Sequence, residues 1–371
     1  MKTERTAGFA ALFLMSALFL VCMSCRKEQT VEREKVYLNL SVTDVCVSTF
    51  PGTKTSGSVE RMQAEKKIRN IQVFVFNKDG EIDNCRRYVT GGNDSGTWTM
   101  PEPLECTTGT KDIWVVANAR TDYTNNASIV NIAKLKEQTV RLEEIDTDGT
   151  VSDLVMVGHA DDVAFSTSNG ASFSTEVVVS RLTCAVVLEK VQNLFQNANY
   201  RDKVSLTGVF LMQVPGIQRI DGSILASDTG YDYSFWYARH SNAIGTGWLS
   251  DSFAEVSVPY GESKAYNTPH TFYSFANDYG FEIDGDPSGA VLNDGTDSKS
   301  SSYLVVEAKV NGKKYYYPVV LPKLYANKKY NVSLTVAHLG SSNPWEKVSF
   351  TDFCPSISVV DWDNKYYSEE I

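Results

Sequence analysis

The sequence predicts an all-β protein built as two β-sandwich domains in tandem, on three observations. Strand-length runs of alternating or β-branched residues recur along the chain, turn-forming pairs punctuate them, and the order of the first half starts again after residue 171. The first run, Val36-Tyr37-Leu38-Asn39-Leu40-Ser41-Val42-Thr43, puts aliphatic residues at the even positions and mostly polar ones at the odd, as a strand with one buried face requires. After Asp44 the apolar parity flips to Val45 and Val47, which predicts a bulge, and Pro51 to Ser58 then has the composition of a loop. Burying Val36, Leu38, Leu40 and Val42 is worth roughly 1.5 to 3 kcal/mol each, on the order of 6 to 12 kcal/mol together. That rivals the stability of a whole domain.

Ahead of this strand lies a targeting segment. Lys2 and Arg5 make a basic start, and Phe9 to Val21 is an apolar run too short to span a bilayer comfortably. It closes on Cys22-Met23-Ser24-Cys25, which resembles the lipobox of bacterial lipoproteins, with Cys22 where leucine is more usual. The resemblance makes residues 1–24 a signal peptide and Cys25 the acylated N-terminus, attached to the outer membrane through lipid.

Composition narrows the function. A chain of 371 residues with 42% hydrophobic content has room for about two domains with sizeable cores. A net charge of -10 argues against nucleic acid as a partner, because phosphate binding draws on a clustered basic face. Beyond the signal and Cys25, five cysteines remain: Cys46, Cys85, Cys106, Cys184 and Cys354. Their spacing lacks metal or redox geometry and reads as buried thiols, with Cys85 and Cys106 the pairing to test first. His159, His240, His270 and His338 sit in unrelated contexts, no GxSxG elbow marks a nucleophile, and Asp146 to Gly149 lacks the later glutamate of a calcium loop. No catalytic residue, metal site or cofactor is expected.

Taken in order, Lys67 to Phe76 is rich in β-branched and aromatic residues and runs into the hairpin turn Asn77-Lys78-Asp79-Gly80. Ile113 to Asn118 reads as a central strand, Ser128 to Glu137 as a short helix behind a serine cap, and Leu154 to Val157 as a strand again. After the Ser/Gly-rich link 166–172, Val177 to Leu188 repeats the part of the first strand and Lys203 to Met212 that of Lys67 to Phe76. Ser223 to Tyr266 and Asp284 to Ser302 read as exposed loops. Tyr303 to Val310 turns at Asn311-Gly312, pairs back through Tyr315 to Leu321 and returns as Tyr330 to Val336. The expected domains are 36–170 and 171–340, preceded by a leash and first strand at 25–61.

Residues 341–371 keep an apolar pattern: Val348-Ser349-Phe350, then Ser356-Ile357-Ser358-Val359-Val360-Asp361-Trp362 after the interruption at Pro355.

The acylated signal, Ile71 to Phe76, Trp114 to Asn118, Arg181 to Leu188, Tyr316-Tyr317-Pro318-Val319 and Asn327 to Val332 together resemble fimbrillin, the type V pilin of the Bacteroidales, over nearly the whole chain. That resemblance implies two transthyretin-like sandwiches, export as a lipoprotein precursor, proteolytic release of the first strand, and polymerisation by strand exchange into a cell-surface fimbrium. Val36, Leu38, Leu40 and Val42 would then be the exchanged strand, and Val348, Phe350, Ile357, Val359 and Trp362 the donor that enters a neighbour's groove. The implied partners are other pilin subunits and a trypsin-like processing protease. The cut falls after a basic residue between the first two strands, where Lys54 fits by place, between Gly52 and Gly57, and Arg61 by residue type. Other readings are an anchor or tip subunit of the same family, a carbohydrate-binding surface lipoprotein using the aromatic run Tyr231 to Tyr237, and a secreted hydrolase.

The lipid site yields a direct test: Cys25→Ala is expected to abolish incorporation of a palmitate analogue and leave the precursor unanchored, and labelling that persists in the variant removes Cys25 as the site.

Overall fold

A computed structural model of the protein describes residues 33–45, 65–93, 95–144, 154–168, 170–223, 236–237, 249–261, 263–282, 301–344, 346 and 353–362. Cys25, Lys54, Arg61, Val348 and Phe350 lie outside the described residues. In chain order the first strands are β1 (Lys35–Asp44), β2 (Ile68–Asn77), β3 (Ile82–Asn93), β4 (Thr97–Thr99), β5 (Leu104–Thr107), β6 (Gly109–Ala117), β7 (Thr139–Arg141), β8 (Met156–Phe165) and β9 (Ser172–Arg181). There follow β10 (Thr183–Asn193), β11 (Val204–Met212), β12 (Val214–Pro215), β13 (Ile217–Arg219), β14 (Trp236–Tyr237), β15 (Ser250–Ser257), β16 (Ser263–Phe275), β17 (Tyr303–Val310), β18 (Lys313–Val320), β19 (Lys328–Val336) and β20 (Phe353–Asp361).

The all-β class is what the periodicity predicts, and the internal repeat is visible in the pairing. One sheet path runs β3-β2-β6-β8-β9-β1-β4 with β5 also on β1, while the later strands form two sheets ordered β15-β11-β17-β18 and β16-β10-β19-β20. In both sets the opening strand is parallel to the closing one, β1 to β9 and β10 to β19, and antiparallel to its other neighbour. In both, the second long strand lies between two antiparallel partners: β2 between β3 and β6, β11 between β15 and β17. The two sets differ at one edge, where β19 carries β20 across nine paired residues.

Burial explains the strand pattern. Val36, Leu38, Leu40 and Val42 meet Ile71, Val73, Val75, Ile113, Val115 and Val177 in one apolar core. The opposite face of β2 and β6, with Phe74, Phe76, Trp114 and Val116, is covered by Tyr123, Ile129, Leu135, Val140 and Leu142 and continues into the core of the later strands. The turn at Asn77 to Gly80 closes with Gly80 at φ 85°, and Asn311-Gly312 forms with both residues at positive φ, the conformation that Asn-Gly tolerates.

Three sequence expectations change. The helix is α1 (Ile132–Lys136), capped by Asn131, whose side chain accepts from the Lys134 N–H, while Ser128 is held by Asn126 in the preceding turn. The stretch expected to loop from Ser223 to Tyr266 contains β14, β15 and the start of β16; Phe253 and Val256 of β15 stand three apart among mostly polar neighbours, so no clear alternation announces the strand. The bulge expected from Val45 and Val47 lies mostly outside the described residues: β1 ends at Asp44, and Val45 is exposed in a turn. Cys85 and Cys106 are free thiols, because Cys85 packs with the Phe74 side of its sheet and Cys106 lies in the core on the Val75 side. Burial pushes the Cys106 and Cys184 thiols up to about 12, which leaves them protonated and unreactive.

Where β8 crosses β9, Gly158 allows a close approach: a Cβ there would stand 2.1 Å from the Val178 carbonyl oxygen. Gly158→Ala is expected to cost about 1 to 3 kcal/mol or more, since backbone rather than a flexible side chain must move, read as a fall in the denaturation midpoint.

Candidate functional site

The site is the seat of β1 together with the polar cluster at its end. Leu40, Val42 and Asp44 pair with Thr175, Val177 and Val179 of β9, while Val36 and Leu38 face Cys106 and Leu104 of β5 and Val42 faces Trp98 of β4. All four expected aliphatic side chains are fully buried. Tyr37 is exposed, Asn39 donates to the Ser172 hydroxyl at 2.7 Å, and Thr43 donates to Glu176, so the outward positions make polar contacts with β9.

Asp44 continues the inward parity of the aliphatic residues and is as buried as they are. Its carboxylate receives the Arg181 guanidinium, with Nη2 2.6 Å from Oδ2 and Nη1 3.3 Å from Oδ1, both side chains at 0% exposure. The two-point geometry recovers part of the cost of desolvating both ions, and removing one partner strands the other. Arg181 Nη2 also donates to the Glu65 carbonyl at 2.9 Å. Sequence reasoning missed this pair, although the signal was there: an acid and an arginine each at the inward parity of a strand end.

Glu65, the first described residue after the segment carrying Lys54 and Arg61, extends the cluster into the later strands. Its carboxylate accepts from the Tyr273 hydroxyl at 2.8 Å and from the Trp362 indole Nε1 at 3.0 Å, with Lys329 Nζ at 3.6 Å. Burial raises its pKa, yet Lys329 and Arg181, with the two hydrogen bonds, outweigh that and hold the carboxyl below its ordinary value. Trp362 stacks on Tyr273 at 5.8 Å between ring centres and lies 5.0 Å from the Arg181 guanidinium. The ends of β1 and β20 therefore share one buried network.

Of the expected donor residues, Ile357 and Val359 lie half-buried on β20 and Trp362 is buried just after it, all three on their own chain. Asp361 forms an ion pair with Lys328 at the surface. A separate buried clip anchors β5: Lys111 Nζ reaches Asn77 Oδ1 at 2.6 Å, Thr107 Oγ1 at 2.7 Å and Asp83 at 3.1 Å, and the Thr107 N–H donates to Asp83 at 2.8 Å. β5 is thus tied to β3 and β6 by contacts that do not involve β1. Trp236 and Tyr237 form β14, and the rest of the aromatic run at 231–235 lies outside the described residues.

Residues 37–207 match the family model of the major fimbrial subunit protein, FimA. Over that stretch, somewhat under half of its length, the chain is similar to the fimbrillin family. The same fold is found in solved structures. A fimbrilin from Porphyromonas gingivalis matches with a TM-score of 0.57 at 14% identity, covering 88% of this chain and 97% of that one. A candidate cell adhesion protein from Bacteroides eggerthii gives 0.60 at 19%, covering 90% and 98%. The tip fimbrial protein Mfa3 from Porphyromonas gingivalis, with a C-terminal truncation, gives 0.52 at 12%, covering 89% and 100%. No curated protein sequence matches the chain. Two fimbrillin-like motifs gain a physical role here. Asn118, at φ 62°, ends β6 and clamps Lys67, Arg69 and Leu154 through its side chain, while Asn327, at φ 58°, bonds its N–H to the Thr183 carbonyl at 2.8 Å beside Arg181.

The buried cluster is testable by stability. Asp44→Asn is expected to cost about 3 to 5 kcal/mol in denaturant unfolding, because Arg181 keeps its charge. With its folded pKa lowered, Glu65 contributes stability above its unfolded value of 4.5 that is lost as pH falls through the folded pKa. Glu65→Gln is expected to flatten that part of the acid-unfolding curve below pH 4.5.

Proposed function

We propose that this chain is a structural subunit of a cell-surface fimbrium, exported as a lipoprotein on Cys25 and polymerised when a cut at Lys54 or Arg61 frees β1. The family match supports the fimbrial role and argues against an enzyme. The observation that carries the finer reading is the seat of β1: a strand with every inward side chain fully buried, whose sequence link to β2 is the segment holding both candidate cut sites.

After such a cut β1 would be held by non-covalent contacts alone. Its departure would open a groove between β9 and β5, with β5 kept in place by the Lys111 clip. A groove of that depth cannot stay solvated without forfeiting most of the domain's stability. Strand addition restores it, since main-chain hydrogen bonds zip the edge while alternate side chains enter the core. The partners are other pilin subunits, a trypsin-like protease for the cut, and the outer membrane through lipid before it.

N-terminal sequencing of assembled filaments tests the cut. A start at Thr55 is expected for cleavage after Lys54 and a start at Met62 for cleavage after Arg61. A chain still beginning at Cys25 makes this an anchor subunit, with β1 retained.

A further inference from the structure

Lys111 sits where the alternation of β6 calls for an apolar side chain. It shares the inward parity of Ile113 and Val115 and is fully buried, a place lysine almost never occupies without a partner. Its partners come from three other strands. Nζ reaches Asn77 Oδ1 at 2.6 Å, Thr107 Oγ1 at 2.7 Å and Asp83 Oδ2 at 3.1 Å, and the Asp83 side chain is 6% exposed. An amine, a carboxamide and a carboxylate brought together out of water are the complete set of groups for forming an amide. We propose that Lys111 and Asn77 close an intramolecular isopeptide bond, with Asp83 carrying the protons. This goes beyond the fimbrial reading and does not depend on it.

Strand pairing presents the reactants. Asn77 is the last residue of β2 and stands directly opposite Lys111 in the antiparallel pair of β2 and β6. Its backbone is fixed by the turn that follows, its N–H donating to the Glu81 carbonyl and its own carbonyl accepting from the Gly80 N–H, each at 2.8 Å. Asp83 is held by Thr107, whose N–H and hydroxyl donate to its two carboxylate oxygens at 2.8 and 2.7 Å. The carboxamide carbon lies one bond beyond the oxygen that Nζ touches, so a turn of the Asn77 side chain brings the amine onto it. Such fixed proximity supplies an effective concentration on the order of 10⁵ to 10⁸ M, which an unactivated amide needs if an amine is to attack it.

The step balances without an oxidant, a cofactor or water. Asp83 takes one proton from the Lys111 ammonium, and the freed Nζ electron pair attacks Asn77 Cγ while the carbonyl π pair moves to Oδ1. Asp83 passes its proton to Nδ2, the Cγ–Nδ2 bond breaks as the carbonyl reforms, and ammonia departs. Asp83 then takes the surplus proton from the new amide nitrogen and ends neutral. One ammonium, one carboxylate and one primary amide thus become one secondary amide, one carboxylic acid and one ammonia. Both charges of the buried pair are removed, which favours the product in a site where each charge costs desolvation. Asn77 is only half-buried, so ammonia has a way out. The bond fastens β2 to β6, whose inward residues form the core against β1.

Peptide mapping of the full chain, purified folded and digested with trypsin, tests the bond. The expected product joins residues 70–78 to residues 88–120, uncut after Lys111 and lighter than the two peptides together by one ammonia and the water that joins them is not lost a second time. Fragmentation is expected to place the link at Asn77 and Lys111. A separate peptide 70–78 with unmodified Asn77, and cleavage after Lys111, overturn the proposal on the unaltered protein, whatever the variants do. Asn77→Ala is expected to abolish the joined peptide, and its persistence overturns Asn77 as the acyl donor. Asp83→Asn, in protein shown by circular dichroism to be folded, is expected to slow closure on the order of a hundredfold or more, read as the share of joined peptide against time after synthesis. Closure at an undiminished rate overturns Asp83 as the proton carrier.

Discussion

A buried ion pair that joins the end of β1 to the end of β9 is the constraint on which the arrangement of this chain turns. Asp44 and Arg181 are both sealed from water, and neither tolerates the loss of the other. Arg181 sits where β9 hands over to β10, so the pair also fixes the point at which the first set of strands meets the second. Through the Glu65 carbonyl and the Trp362 ring, the same guanidinium touches the residue that follows the candidate cut segment and the residue that follows β20. The N-terminal strand, the linking segment and the C-terminal strand therefore report to one charge.

The repeat sets the scale of what each strand contributes. β1 and β10 occupy equivalent places, each parallel to the closing strand of its set, but β10 continues directly from β9 while β1 is joined to β2 through residues 45–67. A cut in that segment would therefore separate β1 from the rest of the chain. A cut could not detach β10 without dividing the protein. β20 is the element without a counterpart in the first set; its residues Ile357 and Val359 are half-buried, while Trp362 just beyond it is held in the buried cluster. One strand is deeply buried on a separable link, and the other is half-buried at Ile357 and Val359 and held at its end by Trp362.

Much of this was legible in the sequence. The alternation of Val36 to Thr43, the Asp-Gly and Asn-Gly turns and the second run of strands after residue 171 all follow from period-two patterning and turn chemistry. The α1 cap was misplaced because Ser128 and Asn131 are both competent caps, and only tertiary contacts choose between them. β15 escapes a reading by periodicity because Phe253 and Val256 stand three apart among serine, aspartate and glutamate, out of step with a period of two. The polar cluster was hidden for a deeper reason. Asp44, Glu65, Arg181, Tyr273, Lys329 and Trp362 come from six segments spread over most of the chain, and periodicity carries no information about which polar ends meet.

Period-two patterning also leaves a gap that the cluster fills. A strand with apolar residues at every second position can slide by two residues in its groove and still bury an apolar face, so alternation fixes which face turns inward and leaves the offset open. Shape differences among valine, leucine and isoleucine separate such offsets by little, because cores accept volume-conserving exchanges at modest cost. A single buried charge behaves differently. Displaced by two residues, which is nearly 7 Å along a strand, Asp44 could no longer reach Arg181, and both ions would be left unpaired in a dry site. The aliphatic residues hold β1 in its groove, and the aspartate at its end decides where along the groove it stops.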